Sequence, residues 1–192
     1  MARLIEGAGL PIDFSYPAVV KPIDGAGSQG LKLVCSAGEM SSFRASGPMR
    51  LEQFCSGFPA SVSFLCGPHS RVALPPCRQQ LTDDGEFTYL GGQLPLSTAL
   101  ADRAKRLASA AMDALPEAQG YVGVDVVLGE NGSGGDDRVI EVNPRLTTSY
   151  VGLKELAEGN LAESMIRIAE GHSVEISFHD GPVRFQADGC IV

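Results

Sequence analysis

The 192-residue sequence has no apolar run approaching the roughly 18 residues that a membrane-spanning helix needs. Its opening stretch, Met1 to Phe14, also lacks the apolar segment of a secretory leader. These absences set aside membrane partners and export, and a cytoplasmic protein is the expectation. Positive charge is scarce: 15 Lys and Arg stand against 23 Asp and Glu, a formal net charge of −8. That balance argues against nucleic-acid partners, which need a basic face, although backbone N–H groups and one or two lysines can still hold phosphates locally. The five cysteines (35, 55, 66, 77 and 190) include no C-x-x-C pair, so neither a thiolate zinc site nor a disulfide framework fits, and a reducing compartment does. Histidines 69, 172 and 179 lack ligand spacing. There is no internal repeat and no low-complexity tract. At 44% hydrophobic and 20% charged, the chain is an ordinary globular sequence, long enough to bury a core as one domain or two lobes.

Along the chain, Ala2 to Gly7 reads as the last turns of a helix closed by Gly7-Ala8-Gly9 and Pro11. Ala18-Val19-Val20 reads as a strand ending at Lys21-Pro22, a glycine-rich loop follows over 24–30, and Leu31 to Val34 alternates as a second strand. Ser36 to Arg44 suits a short helix, and 49–54 and 60–66 read as strand, turn, strand around Ser56-Gly57-Phe58-Pro59. Arg71 to Ala73 extends the sheet, and Asp83-Asp84-Gly85 is a turn signal before Phe87-Thr88-Tyr89. Ser97 or Thr98 caps an amphipathic helix with Leu100, Ala104, Leu107, Ala108, Ala111 and Leu115 on one face. Strands at 123–128 and 139–142 flank a polar hairpin loop, Asn160 opens a helix ending at Gly171, and 174–178 and 183–187 read as closing strands. Hairpins mixed with separated helices predict an α+β fold with largely antiparallel sheets.

Two groups of residues carry chemistry. Gly25-Ala26-Gly27-Ser28-Gln29-Gly30 matches G-x-G-x-x-G, but a strand follows it, not the helix a dinucleotide fold requires, and Leu31 stands where a Walker loop needs lysine. The loop is then either a plain tight turn or a hairpin whose bare N–H groups fold over a phosphate chain. Lys21, at the end of the strand feeding the loop, can place an ammonium beside such phosphates, and it shares a face with Val19, which is expected to be buried. The second group is Asp125 in one apolar strand and Glu141, Asn143 and Arg145 in another, with the two acids sixteen residues apart. Paired antiparallel, these strands bring two carboxylates and an amide to one face, a set of hard oxygen ligands suited to Mg²⁺ or Mn²⁺ shared with substrate phosphates. The competing reading is a structural ion pair of Glu141 with Arg145.

The motifs Ala18-Val-Val-Lys-Pro, the 24–30 loop, Leu51-Glu-Gln-Phe-Cys, Gly123-Val-Asp-Val-Val and Val139-Ile-Glu-Val-Asn-Pro-Arg together resemble the ATP-grasp superfamily, in order and across most of the chain. The resemblance implies an ATP-grasp fold of two α+β lobes, here 1–55 and 56–192, holding ATP between them. It implies ATP-dependent joining of a small-molecule carboxylate to an amine through an acylphosphate. By resemblance, Lys21 lies on the ATP phosphates, Gly25, Ala26, Gly27, Ser28 and Gly30 form the phosphate lid, and Glu52, Gln53, Phe54 and Cys55 form the hinge that meets adenine. Asp125, Glu141 and Asn143 correspond to the Mg²⁺ ligands, Arg145 to the catalytic arginine, with Lys21 also taken as catalytic, and Arg78 to a candidate for the γ-phosphate. The phrases Gly57-Phe-Pro-Ala-Ser-Val-Ser-Phe, Cys77-Arg-Gln, Tyr89-Leu-Gly-Gly and Asn143-Pro-Arg-Leu-Thr-Thr-Ser-Tyr-Val-Gly-Leu resemble the branch containing tyramine–glutamate ligases, which implies glutamate-to-amine ligation in one-carbon cofactor synthesis. The resemblance implies that the family's N-terminal domain is missing here, so the chain is expected to be a fragment, a shortened gene product or half of an assembly in which a second copy or a partner chain supplies that domain. The alternative is a nucleotide-binding module without turnover of its own.

Overall fold

A computed structural model of the chain describes residues 2–5, 14–24, 29–44 and 47–192. The chain divides into two compact units, residues 1–55 with 81–89, and residues 56–80 with 90–192.

The first unit holds β1 (Ala2–Ile5), β2 (Ala18–Pro22), β3 (Lys32–Val34), α1 (Ala37–Ser42) and β4 (Met49–Gln53). Its antiparallel sheet runs β1-β4-β2-β3. Ala2–Ile5 is therefore a strand, not the helix end that its sequence suggested. So short a segment completes almost no i→i−4 bonds, whereas pairing with Met49–Glu52 provides backbone partners along its length. The Gly7-Ala8-Gly9 and Pro11 stop lies outside the described residues. Ala18 and Val20 of β2 face a core of Phe14, Val34, Met40, Met49 and Leu51. Val19 is half-buried on the opposite face and Lys21 shares that side, so the expected burial of Val19 fails because the parity of the core face is the reverse. Ser36 Oγ accepts from Glu39 N–H and starts α1 as expected.

Segment 81–89 completes this unit. Leu33 N–H donates to Gly85 O at 2.7 Å. The Phe87 ring stacks on Phe54 with centroids 5.8 Å apart and planes at 19°. Asp84 Oδ1 accepts from Thr82 Oγ1 and from Glu86 N–H, which closes the predicted turn.

The second unit holds β5 (Phe58–Cys66), β6 (Arg71–Ala73), β7 (Cys77–Leu81), β8 (Tyr89–Leu94), α2 (Thr98–Asp113), β9 (Gly120–Leu128), β10 (Arg138–Asn143), α3 (Ser149–Leu156), α4 (Leu161–Ala169) and β11 (Val183–Gln186). The sheet order is β10-β9-β5-β7-β8-β11, with β6 alongside β5. The turn at 56–57 thus joins two sheets and does not close a hairpin. Ala60, Val62, Phe64 and Cys66 of β5 and Val122, Val124, Val126 and Leu128 of β9 pack against Ala104, Ala108 and Met112 of α2. Each large aliphatic buried there contributes roughly 1.5–3 kcal/mol. Leu115 leaves the predicted helix face: α2 ends before it and it is 43% exposed. The β9–β10 loop is pinned by Arg103 of α2, whose Nη2 donates to Gly129 O at 2.7 Å while the guanidinium pairs with Asp137. Asn160 Oδ1 caps α4 by accepting from Ala162 and Glu163 N–H groups. Residues 174–178 form no named strand. Their backbone serves the end of α3 instead, with Glu158 N–H on Ser177 O and a single bridge of Ala157 to Phe178.

Candidate functional site

Because the even-numbered residues of β9 from 122 to 128 face α2, Tyr121, Gly123, Asp125 and Val127 occupy the other face. On β10, Val139 lies opposite Val126, then a bulge intervenes, and Glu141 lies opposite Asp125 and Asn143 opposite Gly123. Without that extra residue Glu141 would oppose Val124 and point into the apolar core. The bulge is what turns Glu141 and Asn143 to the side of Asp125. Ser61 of β5 lies opposite Asp125 on its other flank.

The structure brings Asp125, Asn143 and Arg145 into one hydrogen-bonded chain. Asn143 Nδ2 donates to Asp125 Oδ2 at 3.2 Å, and Arg145 Nη2 donates to Asn143 Oδ1 at 3.1 Å. Arg145 Nη1 reaches Leu146 O at 3.3 Å. Among the described residues Glu141 and Arg145 form no salt bridge, so the structural ion pair is not the arrangement found. A fourth partner was not legible in the sequence: Gln79 of β7 donates Nε2 to Asp125 Oδ1 at 2.9 Å. Burial, joined by the Glu141 carboxylate, pushes the Asp125 carboxyl up to about 7, against the lowering effects of Gln79, Arg145 and Asn143.

Beside this cluster lies a buried set of hydroxyls. Tyr121 Oη donates to Ser63 Oγ at 2.6 Å, and Thr147 Oγ1 and Ser149 Oγ are 2.8 Å apart. Thr147 packs so closely on Gly123 that a Cβ there would stand 2.6 Å from Thr147 Cγ2. The glycine thereby admits the chain that follows Arg145.

Arg78 is not brought to the cluster. It lies opposite Ala60, whose side chain faces α2, and its guanidinium sits 5.2 Å over the Phe58 ring. Its neighbour Gln79 takes the face that Asp125 occupies.

In the first unit, Lys21 Nζ lies 2.7 Å from Glu52 Oε2, with a lysine side chain only 12% exposed. Arg50 Nε lies 2.7 Å from Glu52 Oε1, though off the line of a hydrogen bond. Glu52 thus draws two cations to the face away from the core. In the segment expected to form the hinge, Phe54 N–H donates to Pro17 O at 3.0 Å, and Cys55 Sγ lies 3.6 Å from Gln53 O. Gly25, Ala26, Gly27 and Ser28 lie outside the described residues, while Gly30 takes a left-handed φ of 73°.

The donor set around Asp125 fits a hard divalent cation. Two carboxylates oppose each other in register, one with its proton affinity raised by burial and by its neighbour, a conflict that a cation relieves. Among the described residues no three His, Cys, Asp or Glu side chains gather as a metal cage. A pair of carboxylates with an amide suits a metal completed by substrate oxygens.

Comparison with known proteins bears on the family and the fold. A family model described as an ATP-grasp domain matches residues 10–149. The tyramine–L-glutamate ligase of Methanocaldococcus fervens is 30% identical over 156 residues, 81% of this chain and 46% of that protein. An N5-carboxyaminoimidazole synthetase from Staphylococcus aureus, solved with ADP, superposes with a TM-score of 0.73 at 16% identity, covering 89% of this chain and 46% of that one. An L-amino acid ligase from Bacillus licheniformis gives a TM-score of 0.73 at 21% identity, covering 88% and 42%. The chain spans about half the length of the curated relatives it matches.

Proposed function

Since the chain belongs to the ATP-grasp family, we propose that it is the nucleotide-binding and catalytic portion of an ATP-dependent carboxylate–amine ligase. The observation that carries this reading is the placement of Asp125, Glu141 and Asn143 on one face with Arg145 joined to them. Lys21, paired with Glu52, would meet the ATP phosphates, and Gly25 to Gly30 would cover them. The hinge from Glu52 to Cys55 would take adenine. Asp125, Glu141 and Asn143 would hold Mg²⁺, which when bound neutralises phosphate charge. In the reaction, a substrate carboxylate oxygen attacks the γ-phosphorus, the bond to ADP breaks, and an acylphosphate forms. An amine nitrogen then attacks the acyl carbon, phosphate leaves, and the nitrogen loses a proton. Arg145 would offset the charge that develops on the transferred group, and the rest of the protein's work is positioning. The relative's name makes glutamate and tyramine the first substrates to try, and a role in one-carbon cofactor synthesis rests on the same likeness.

Titration calorimetry with a non-hydrolysable ATP analogue tests the reading. Binding is expected with Mg²⁺, and its Mg²⁺ dependence is expected to vanish in Glu141→Ala. Binding by folded Glu141→Ala with an unchanged response to Mg²⁺ would remove Glu141 from the metal site. A second reading is a nucleotide-binding module without turnover of its own. Multiple-turnover release of ADP with glutamate and tyramine separates the two.

A further inference from the structure

We infer that Gln79 is a positioning residue for the metal site: its side-chain amide holds Asp125 by Oδ1 and leaves the other carboxylate oxygen to a cation. The inference rests on the proposed role of Asp125 and Glu141. Asp125 has two oxygens and, among the described residues, two amide donors, Gln79 on Oδ1 and Asn143 on Oδ2. These donors are not equivalent. Asn143 sits on the same face as Glu141 and is shared with Arg145, so its amide can turn its oxygen toward a cation once one is bound. Gln79 reaches Asp125 from the opposite side, across β5 from β7, and among the described residues its amide bonds to no second carboxylate. A neutral donor is suited to this place. It satisfies one oxygen of a half-buried carboxylate and fixes its plane. It adds no third negative charge beside Asp125 and Glu141, and it brings no positive charge to compete with the metal. Outer partners of this kind orient the ligand, and losing one typically costs about 10–100-fold in metal affinity.

The test is Mn²⁺ binding to the full chain, read as loss of the free-ion signal in electron paramagnetic resonance, with no nucleotide or turnover involved. Gln79→Met keeps the length and removes the donor, and is expected to weaken Mn²⁺ about 10-fold while the thermal midpoint stays near wild type. Gln79→Asn keeps an amide but withdraws it by one methylene, so it should behave likewise and covers the case in which Gln79→Met fails to fold. Asp125→Asn should abolish binding. Wild-type Mn²⁺ affinity in Gln79→Met or Gln79→Asn, with binding lost in Asp125→Asn, would overturn the inference and leave the metal site standing. Undiminished binding in Asp125→Asn would overturn both.

Discussion

Asp125 is held between opposing demands. Its proposed role as a metal ligand needs an ionised carboxylate, while burial and Glu141 push its carboxyl up to about 7 from an ordinary 3.8. A carboxyl that binds its proton more tightly in the folded chain than in the unfolded one favours folding at low pH. That contribution is fully present below pH 3.8 and is lost as pH climbs through about 7. The metal-free protein should therefore lose stability across this window. Asp125→Asn should abolish that loss and be more stable than wild type at pH 8, by roughly 1–4 kcal/mol in urea titrations. The same substitution is expected to remove Mg²⁺-dependent nucleotide binding. A variant less stable than wild type at pH 8 would mean that the carboxylate serves the fold and that the site reading is wrong. Asp125, Glu141 and Asn143 were readable beforehand because each is an acid or amide in an otherwise apolar strand, and Arg145 because it follows them directly beyond the strand end. Gln79 was not, because Cys77-Arg-Gln-Gln-Leu has no alternation to announce a strand, and its tie to Asp125 crosses β5. Arg78 was placed near the γ-phosphate by resemblance, and in the structure strand parity sets it on the face opposite Asp125.

At the level of elements, strands with strong alternation and helices with caps were legible, and elements set by their neighbours were not. β9, β10, α2 and α4 each carry their own signal in period or cap. α3 opens in a Thr/Ser run and contains Gly152, a poor helix residue on propensity. Its glycine is explained by contact, since a Cβ there would stand 2.4 Å from Leu94 Cδ2 and 2.7 Å from Phe185. β1 read as a helix end because four residues show no period, and only β4 makes them a strand. Gly123 is another glycine set by a neighbour. Gly123→Ala should push Thr147 away, disturb the hydroxyl cluster and cost about 1–3 kcal/mol, measurable by urea unfolding. A variant as stable as wild type would show that the 145–149 chain yields freely.

For the whole molecule, the resemblance placed a lobe boundary near residue 55, while the compact unit that holds residues 1–55 also takes in 81–89, which no motif announced. A stretch with its own turn reads as a local hairpin feature, and its stacking of Phe87 on Phe54 is a long-range fact. Phe87→Ala is expected to speed hydrogen exchange at the Leu33 and Phe54 amides several-fold while those of β5 and β9 keep their protection. Uniform acceleration in both units would mean that they unfold as one. The interleaving also has a consequence for the order in which the chain is made. When Cys55 leaves the ribosome, the first unit still lacks the segment that stacks on Phe54 and accepts from Leu33, and that segment is not finished until Tyr89 has been added. At about 5–20 residues per second this is a wait of roughly two to seven seconds. Through that interval the sheet of the first unit depends on its own small core, while the strands of the second unit are already emerging.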